Sequence, residues 1–288
     1  MNNPILRHLP DNPVYNQAVS WILKFGYSLT EPIKLRFHRL SASDQSNLIC
    51  PKISIITPTY NRAQILRDRA IPSVLGQTYS NFEFIIVDDG STDETRNVIE
   101  SAGDPRIKYH RTSRSRFRYP NKAIYHWFAG PVVALNAGLS LVTGDWIARI
   151  DDDDEWTPDH LECLLKFATS SDFEFVSSDL LMVEDGVERI VTPFSDPLDT
   201  TGIGATQTWL YRSYLKSFKY NINCWRKSYF RVNDTDLQQR FYLSGVRIGY
   251  LSKVTAVIKP RPSEQHIGSR AYLKNSEHYE SFYSQKSE

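Results

Sequence analysis

Cysteine is scarce in this sequence. Only 3 cysteines occur among 288 residues, and Cys50, Cys163 and Cys224 lie far apart. Their positions match neither a disulfide framework nor a metal-ligand spacing, which favours a reducing compartment. The histidines share no metal spacing either. We therefore expect no fold held together by disulfides or by a Cys/His metal site.

Net charge and long apolar runs are scarce as well. The formal net charge is +1, which argues against a nucleic-acid partner. No run of about 18 apolar residues is present, and the first residues lack the basic and apolar regions of a secretory signal. The chain does contain 41% apolar and 12% aromatic residues, enough for a large core. We therefore expect a cytoplasmic globular protein with no transmembrane segment.

Residues 1–50 are predicted to form an N-terminal extension. Within it, "AVSWILKFGYSL" at residues 18–29 is apolar, but it is too short to span a bilayer and is interrupted by Lys24 and Gly26. Together with the following "EPIKLRFHRL" it predicts one of two arrangements. A helix packed on the main domain is favoured. The alternative is a basic amphipathic element that lies on the inner face of a membrane.

Apolar strands alternate with helical patterns from residue 53 onward. The predicted strands cover residues 53–57, 82–87, 145–150 and a short segment near Ile107. The predicted helices cover residues 62–75, 91–101 with a "STDE" capping box, 132–142, and a segment with Pro158 near its start. Such alternation predicts parallel β-α-β units in a doubly wound sheet.

The pattern becomes mixed after residue 172, where Asp185-Gly186 between two extended runs predicts a hairpin. We expect an α/β fold with a mostly parallel, Rossmann-like central sheet and helices on both faces. The expected main domain covers residues 51–260, with a smaller mixed part at 171–260, and a tail follows at 261–288. In such sheets, ligands bind beyond the carboxyl ends of the strands.

Three polar clusters follow three of the predicted strands. They are "TPTYNR" at residues 57–62, "DDGSTD" at 88–93 and "DDDDE" at 151–155. The second cluster alone equally fits a solvated turn. Because the carboxyl ends of parallel strands meet at one edge of a sheet, the three clusters together predict a polar binding site there.

The run of four aspartates predicts a metal site. Alternate side chains of an extended chain point the same way, so Asp151 and Asp153 are expected to converge. Two carboxylates suit a hard divalent cation, which usually takes its other ligands from substrate phosphates and water. The cation would also cancel the repulsion between neighbouring acids.

The segments "ISIITPTYNR", "FIIVDDGSTDET" and "NAGLSLVTGDWIARIDDDDEWTP", in this order and spacing, resemble the family-2 glycosyltransferases of the GT-A fold. The likeness covers residues 51–170 well and extends loosely to about residue 258. The resemblance implies that Asp151 and Asp153 form a DXD signature that holds Mn²⁺ or Mg²⁺ on a sugar nucleotide. It also implies a nucleotide-sugar site formed by Pro58, Thr59, Tyr60, Arg62, Asp88, Asp89, Asn136, Asp151 and Asp152.

A second acidic site follows from the same resemblance. Residues 232–240, "VNDTDLQQR", are similar to the family's "ED-x-D-L-x-x-R" segment. Asp234 stands where the family has its general base, Asn233 replaces the usual Glu, and Asp236 and Arg240 match the remaining positions as weaker candidates. From the residues alone, Asp234 equally fits a helix cap.

Other segments carry weaker signals. Residues 110–131 interleave basic and aromatic side chains, a pattern that fits nucleic acid, an anionic donor or acceptor, or a solvated loop. Leu135 stands where the family often has an Arg, so a phosphate contact must come from elsewhere or be missing. Arg261 and His266 are weaker candidates for a loop that closes over the diphosphate.

The resemblance implies an inverting, metal-dependent transfer of a sugar from a nucleoside diphosphate sugar, with UDP favoured, to a glycan or lipid-linked acceptor in cell-surface polysaccharide or lipopolysaccharide synthesis. It allows peripheral membrane contact. A sugar nucleotidyltransferase is one alternative, although "TPTYNRAQ" lacks the glycine-rich basic loop that those enzymes have. A non-enzymatic carbohydrate- or nucleotide-binding protein on the same fold is the other, and Asn233 and Leu135 keep it open.

Overall fold

The computed structural model describes residues 11–41, 50–113, 118–120, 122–193, 201–228, 230–262, 264 and 266–268. The helices are α1 (Pro13–Ser41), α2 (Ala63–Asp68), α3 (Ala70–Leu75), α4 (Thr95–Ser101), α5 (Ala123–Ala129), α6 (Val132–Leu141), α7 (His160–Ser170) and α8 (Asn233–Leu243). The strands are β1 (Ile53–Thr59), β2 (Phe82–Asp88), β3 (Ile107–Arg111), β4 (Trp146–Arg149), β5 (Asp154–Trp156), β6 (Phe175–Glu184), β7 (Val187–Val191), β8 (Leu210–Arg212) and β9 (Ile248–Ile258).

These strands form one sheet with the order β3-β2-β1-β4-β8-β6-β9-β5, and β7 pairs with β6 outside this path. Strands β3, β2, β1 and β4 are parallel, whereas β8 is antiparallel to both β4 and β6 and joins the parallel block to the mixed part. Thr59 at the end of β1 pairs with Asp88 at the end of β2. The polar clusters that follow β1 and β2 therefore lie side by side at the carboxyl edge.

Side chains of the parallel strands alternate between two cores, one on each face of the sheet. Ile55 of β1 belongs to the core that α2, α3 and α7 cover, and Ile56 belongs to the core that α6 covers. Gly138 allows α6 to approach the sheet closely, because a Cβ at this position would lie 2.6 Å from Ile56 Cγ2 and 3.3 Å from Val87 Cγ2. The α/β fold with helices on both faces is confirmed.

Two predicted helices differ from the observed ones. The helix predicted at residues 62–75 is two helices separated at Arg69, whose guanidinium donates to the carbonyls of Asp153 and Pro260 at 2.8 and 2.7 Å. The capping box at residues 91–94 is not formed, and α4 begins only at Thr95. Ser91 Oγ instead accepts from the Asn61 N–H at 2.8 Å, so its side chain fastens the turn after β2 to the end of β1.

The hairpin prediction is confirmed. Asp185 and Gly186 connect β6 to β7 with φ angles of 53° and 75°, as a two-residue hairpin turn requires.

Helix α1 packs on the domain through one face, on which Val19, Leu23 and Leu35 are buried. This is the favoured of the two arrangements predicted for the N-terminal extension. None of the helices in the described ranges has both the length and the apolarity needed to cross a membrane.

Candidate active site

A cavity of about 930 Å³ opens at the carboxyl edge of the parallel strands. Its wall contains residues from all three polar clusters and from the mixed C-terminal part. The lining residues that the sequence had singled out are Pro58, Thr59, Tyr60, Arg62, Asp89, Asp151, Asp152, Asp153, Asp234, Arg261 and His266. The fold therefore gathers residues from distant parts of the chain around one space.

The ends of β1 and β2 form the side of the cavity predicted to hold the nucleoside. Thr59 Oγ1 donates to Asp152 Oδ2 at 2.7 Å, which ties the end of β1 to the aspartate run. Asp89 Oδ1 accepts from Thr112 Oγ1 at 2.7 Å, and the carboxylate also forms a buried ion pair with Arg118. Asp89 is thereby held in one orientation at the cavity wall.

Asp88 does not belong to the cavity lining. Its carboxylate accepts from the Ser91 N–H at 2.7 Å and from the Tyr109 hydroxyl at 2.8 Å. It therefore stabilises the turn after β2, and of the two adjacent aspartates it is Asp89 that reaches the cavity.

The aspartates after β4 form a turn and do not continue the strand. The Asp154 N–H donates to the Asp151 carbonyl at 3.3 Å, and β5 then begins at Asp154. The prediction that the chain is extended at Asp151 and Asp153 is wrong, and the alternation rule does not apply in a turn. Both still line the cavity, but Asp151 Oδ1 lies 3.0 Å from Arg149 Nη2, and Asp153 Oδ2 lies 3.3 Å from Arg261 Nε.

The crowded carboxylates resist ionisation. Burial and the neighbouring charge of Asp153 raise the pKa of Asp152 to about 7. Burial also raises the pKa of Asp153, and burial together with the charges of its neighbours raises the pKa of Asp154 well above its usual value. A cation at this turn would stabilise the charged forms.

The turn provides the oxygen donors that a hard divalent cation prefers. In the part of the chain that the structure describes, no three His, Cys, Asp or Glu side chains are grouped so as to hold a metal ion by themselves. A cation bound by one or two carboxylates, with phosphate oxygens and water as its other ligands, needs no such group. The carboxylates of Asp151 and Asp153 therefore fit a cation that arrives with a diphosphate.

Asp234 lies in the first turn of α8 and lines the cavity. Its Oδ1 accepts from the Thr235 N–H at 2.7 Å, whereas the cap position is occupied by Val232, without a side-chain cap. Burial raises the pKa of Asp234 above its usual value, and the opposing charge of Arg149 offsets only part of this shift. Asn233 has another contact, because its Nδ2 donates to the Phe128 carbonyl at 3.1 Å and fastens α8 to the end of α5.

Arg149 is a charged cavity residue that sequence reasoning missed. Its side chain is almost fully buried in β4, and Nη1 lies 3.4 Å from the Tyr220 hydroxyl and 3.5 Å from Asn233 Oδ1. Burial lowers the pKa of Arg149, but Asp151, Tyr220 and Asp234 raise it above its usual value, so the side chain stays charged. The sequence feature that could have indicated it is a single basic residue, Arg149, inside the apolar strand "DWIARI".

Besides Asp88, three more predicted residues lie outside the cavity lining: Asn136, Asp236 and Arg240. The Asn136 side chain exchanges two hydrogen bonds of 2.9 Å with the backbone of Tyr220. Asp236 and Arg240 are buried and pair with each other at 3.0 Å, and Arg240 also pairs with Glu31 of α1. Asn136 thus joins α6 to the mixed part, and Arg240 joins α8 to α1.

Residues after β9 line the cavity, and so does part of the basic and aromatic segment at residues 110–131. Arg261 pairs with Glu264 at 2.9 Å as well as with Asp153, and His266 Nδ1 lies 3.6 Å from Glu184. His126 and Trp127 line the cavity opposite the end of β1. Residues 114–117, 121, 263, 265 and 269–288 lie outside the described residues.

The chain is similar to several curated glycosyltransferases over part of its length. It is 43% identical over 118 residues to the putative colanic acid biosynthesis glycosyl transferase WcaA of Escherichia coli K12, with 40% of this chain and 37% of the relative covered. It is 29% identical over 174 residues to the UDP-Glc:alpha-D-GlcNAc-diphosphoundecaprenol beta-1,3-glucosyltransferase WfgD of Escherichia coli, with 58% and 63% covered. It is 32% identical over 138 residues to the GalNAc(5)-diNAcBac-PP-undecaprenol beta-1,3-glucosyltransferase of Campylobacter jejuni, with 47% and 40% covered. The chain thus spans less than two thirds of the length of each of these relatives.

Solved structures share the fold. The S. aureus TarS fragment 1-349 in complex with UDP-GlcNAc matches with a TM-score of 0.58 and 21% identity, covering 74% of this chain and 60% of that one. The mannosyltransferase PcManGT from Pyrobaculum calidifontis, in complex with GDP-Man and Mn²⁺, matches with a TM-score of 0.58 and 16% identity, covering 95% and 76%. At such identities the likeness shows the GT-A fold alone.

The family profile described as "Glycosyl transferase family 2" matches residues 54–235, which is well over half of the chain. This region begins in β1 and ends at Thr235, so it contains the three polar clusters and Asp234. The resemblance and the transferase class predicted from the motifs are confirmed at the level of the family. The chain belongs to glycosyl transferase family 2.

Proposed function

We propose that this chain transfers a sugar from a nucleoside diphosphate sugar to an acceptor hydroxyl, with inversion at the anomeric carbon. One observation carries the proposal: a single cavity contains the aspartate turn and the carboxylate of Asp234, with the Arg149 guanidinium contacting Asp151 and interacting with Asp234. The aspartate turn suits a cation with its diphosphate. The second carboxylate, on another element, suits a base that acts on the acceptor.

The donor side of the site comprises the ends of β1 and β2. Residues 58–60, Arg62, Asp89 and Asp152 would contact the nucleoside, and the fixed orientation of Asp89 suits a hydrogen bond to ribose or base. UDP is the favoured nucleotide, because the names of WfgD and of the TarS complex specify UDP-Glc and UDP-GlcNAc. Arg149 and Arg261 supply positive charge beside the expected diphosphate.

The transfer needs one base and one leaving group. Asp234, in its ionised form, accepts the proton of the acceptor hydroxyl. The hydroxyl oxygen forms a bond to the anomeric carbon while the bond from that carbon to the diphosphate oxygen breaks, and its electron pair leaves with the diphosphate. A divalent cation bound at Asp151 and Asp153 would neutralise the negative charge that builds up on the leaving diphosphate.

The acceptor is proposed to be a glycan carried on a lipid diphosphate at the cytoplasmic face of a membrane. Support comes from the names of two relatives, both of which specify undecaprenol-linked acceptors. In this proposal residues 51–170 serve the donor and residues 171–260 serve the acceptor.

The proposal is tested by thermal unfolding of the purified chain with UDP, GDP, CDP and dTDP, each with Mn²⁺ and with a chelator. A nucleotide at about 100 times its dissociation constant should add about 2.7 kcal/mol of stability. We expect UDP to stabilise the protein only with metal, and the matching UDP-sugar to be consumed with an undecaprenyl diphosphate-linked acceptor. Stabilisation without transfer to any such acceptor would favour the non-enzymatic alternative, and no stabilisation by any nucleotide would contradict the proposed donor site.

A further inference from the structure

The outward face of α1 is strongly apolar. Among the described residues, thirteen large apolar side chains are markedly exposed, and nine of them belong to this helix: Val14, Tyr15, Trp21, Ile22, Phe25, Leu29, Ile33, Phe37 and Leu40. Trp21, Phe25, Leu29, Ile33 and Phe37 follow one another at intervals of four residues. Side chains at this interval are neighbours on a helix, so they form a continuous row. We name the nine residues the outer face of α1.

The helix cannot turn this outer face inward. Its opposite side is buried through Val19, Leu23 and Leu35. Polar contacts to the domain fix the rotation of the helix from its start to its end. They join Asp11 to Tyr125 at 2.7 Å, Asn16 to Arg226 at 2.6 Å, Arg39 to Glu174 at 2.6 Å, and Glu31 to Arg240. The outer face is therefore a fixed surface of the folded domain.

The exposed charges on α1 itself are of one sign. Lys24, Lys34 and Arg36 are exposed on α1. The only acidic residue of the helix is Glu31, which is buried and paired with Arg240. A partner that covers the apolar row therefore also contacts positive charge on α1.

We propose that the outer face of α1 binds the surface of an anionic lipid bilayer, with the helix lying in the plane of the interface. At 29 residues the helix is about 43 Å long, and it combines a long apolar row, a tryptophan and basic margins, as interfacial helices do. A second copy of the chain fits less well, because pairing two outer faces would bring their like-charged margins together. An anionic lipid surface satisfies both the apolar row and the cations.

Such docking would place the cavity close to the bilayer. Asp11, next to the start of α1, accepts from the Tyr125 hydroxyl, and the adjacent His126 and Trp127 line the cavity. A glycan on a lipid anchor could then reach Asp234 while its anchor stays in the membrane. This orientation rests on the proposed function, whereas lipid binding by the outer face does not.

Vesicle sedimentation of the full chain, without sugar nucleotide or acceptor, tests the proposal. We expect sedimentation with vesicles of phosphatidylcholine mixed with phosphatidylglycerol, and much less with phosphatidylcholine alone. The double variant Phe25→Ser/Leu29→Ser should bind the mixed vesicles at least ~10-fold more weakly, because both side chains would otherwise enter the interface. The triple variant Lys24→Gln/Lys34→Gln/Arg36→Gln should lose up to ~100-fold. The matched control Val187→Ser/Ile190→Ser removes exposed apolar side chains from β7 and should bind like the unchanged chain.

The possible contrary results are distinct. The proposal is overturned if the unchanged chain does not sediment with mixed vesicles at low salt, or if the α1 variants and the β7 control bind equally. It is also overturned if the chain is a dimer in sedimentation equilibrium and Phe25→Ser/Leu29→Ser makes it monomeric, because a second copy would then cover the outer face. Since no donor or acceptor is present, these outcomes are independent of whether the chain transfers a sugar.

Discussion

Arg149 Nη2 lies 3.0 Å from Asp151 Oδ1, and Nη1 of the same guanidinium lies 3.5 Å from the side chain of Asn233, the residue before Asp234. The buried Arg149 guanidinium thus contacts both the aspartate turn and the start of α8, the helix that carries the proposed base Asp234.

Replacing Arg149 by Lys should lower kcat by about 10- to 100-fold. The charge is retained, but Lys cannot contact Asp151 and Asn233 at once, and a hydrogen bond to a charged group contributes about 1.5–3 kcal/mol. Steady-state kinetics with saturating donor measures the effect. Arg189→Lys on the exposed hairpin is the matched control and should have unchanged kinetics. Unchanged kcat in Arg149→Lys would show that the guanidinium does not align the two sites.

Replacing Asp234 by Asn should lower the transfer rate by about 10²- to 10⁴-fold, because an amide cannot accept the proton of the acceptor hydroxyl. The amide oxygen can still accept from the Thr235 N–H, so the start of α8 should persist. Nucleotide-dependent thermal stabilisation should therefore remain. The control is Asp172→Asn, which changes an exposed aspartate outside the cavity lining. Transfer near the original rate in the Asp234 variant would remove this residue from the role of base.

The aspartate turn predicts that the metal-free protein loses stability as pH rises. The pKa of Asp152 is raised from 3.8 to about 7 in the folded state, so folding favours its protonated form. The stability is fully present below the unfolded pKa and is lost as pH rises through the folded pKa, here between about pH 4 and pH 7. Asp152 is only half-buried, so the expected loss is about 1–2 kcal/mol.

Urea unfolding at several pH values in chelator measures this loss. Asp152→Asn should flatten the profile, because the amide cannot ionise but can still accept from Thr59. Added Mn²⁺ should restore stability at high pH in the unchanged chain if the turn binds the ion. A profile that is the same in the variant and the unchanged chain would contradict the assignment to Asp152.

Replacing Gly138 by Ala should destabilise the protein by up to about 2 kcal/mol. Alanine favours a helix by about 1 kcal/mol over glycine, but the new methyl group would lie 2.6 Å from Ile56 Cγ2, and overpacking costs about 1–3 kcal/mol. The overlap should outweigh the helix preference because Ile56 is itself buried. Denaturant unfolding gives the difference, with Ser140→Ala on the exposed side of α6 as the control. If Gly138→Ala were more stable than the unchanged chain, β1 and β2 would have to move away from α6 at little cost.

The parallel half of the fold could be predicted from the sequence because its signals are local. Alternating apolar strands and helices place their polar ends at one edge by topology alone, so the placement of the three polar clusters followed without any knowledge of side-chain contacts. Which of Asp88 and Asp89 faces the cavity did not follow, because it depends on those contacts. The turn at Asp185-Gly186 was equally local, since its backbone needs φ above zero.

The remaining features depend on contacts between distant residues. Arg149 could not be assigned to the site from its own surroundings, because its partners in the mixed part, Tyr220 and Asn233, lie more than 70 positions away. The geometry of Asp153 depends likewise on Arg261, beyond the last strand. The Ser91 side chain is used by Asn61 and not by its own helix, which is why the capping box failed.

The buried pair of Glu31 and Arg240 has a consequence for what counts as a minimal folding unit. The family match spans residues 54–235, so both partners of the pair fall outside it, one on each side. A chain shortened to residues 54–235 would lack Glu31 and would end α8 before Arg240. A chain that kept all of α8 but not α1 would leave the buried Arg240 guanidinium without its Glu31 partner, which is energetically costly. The N-terminal helix therefore lies outside the family match, and its buried carboxylate still pairs with the arginine of α8.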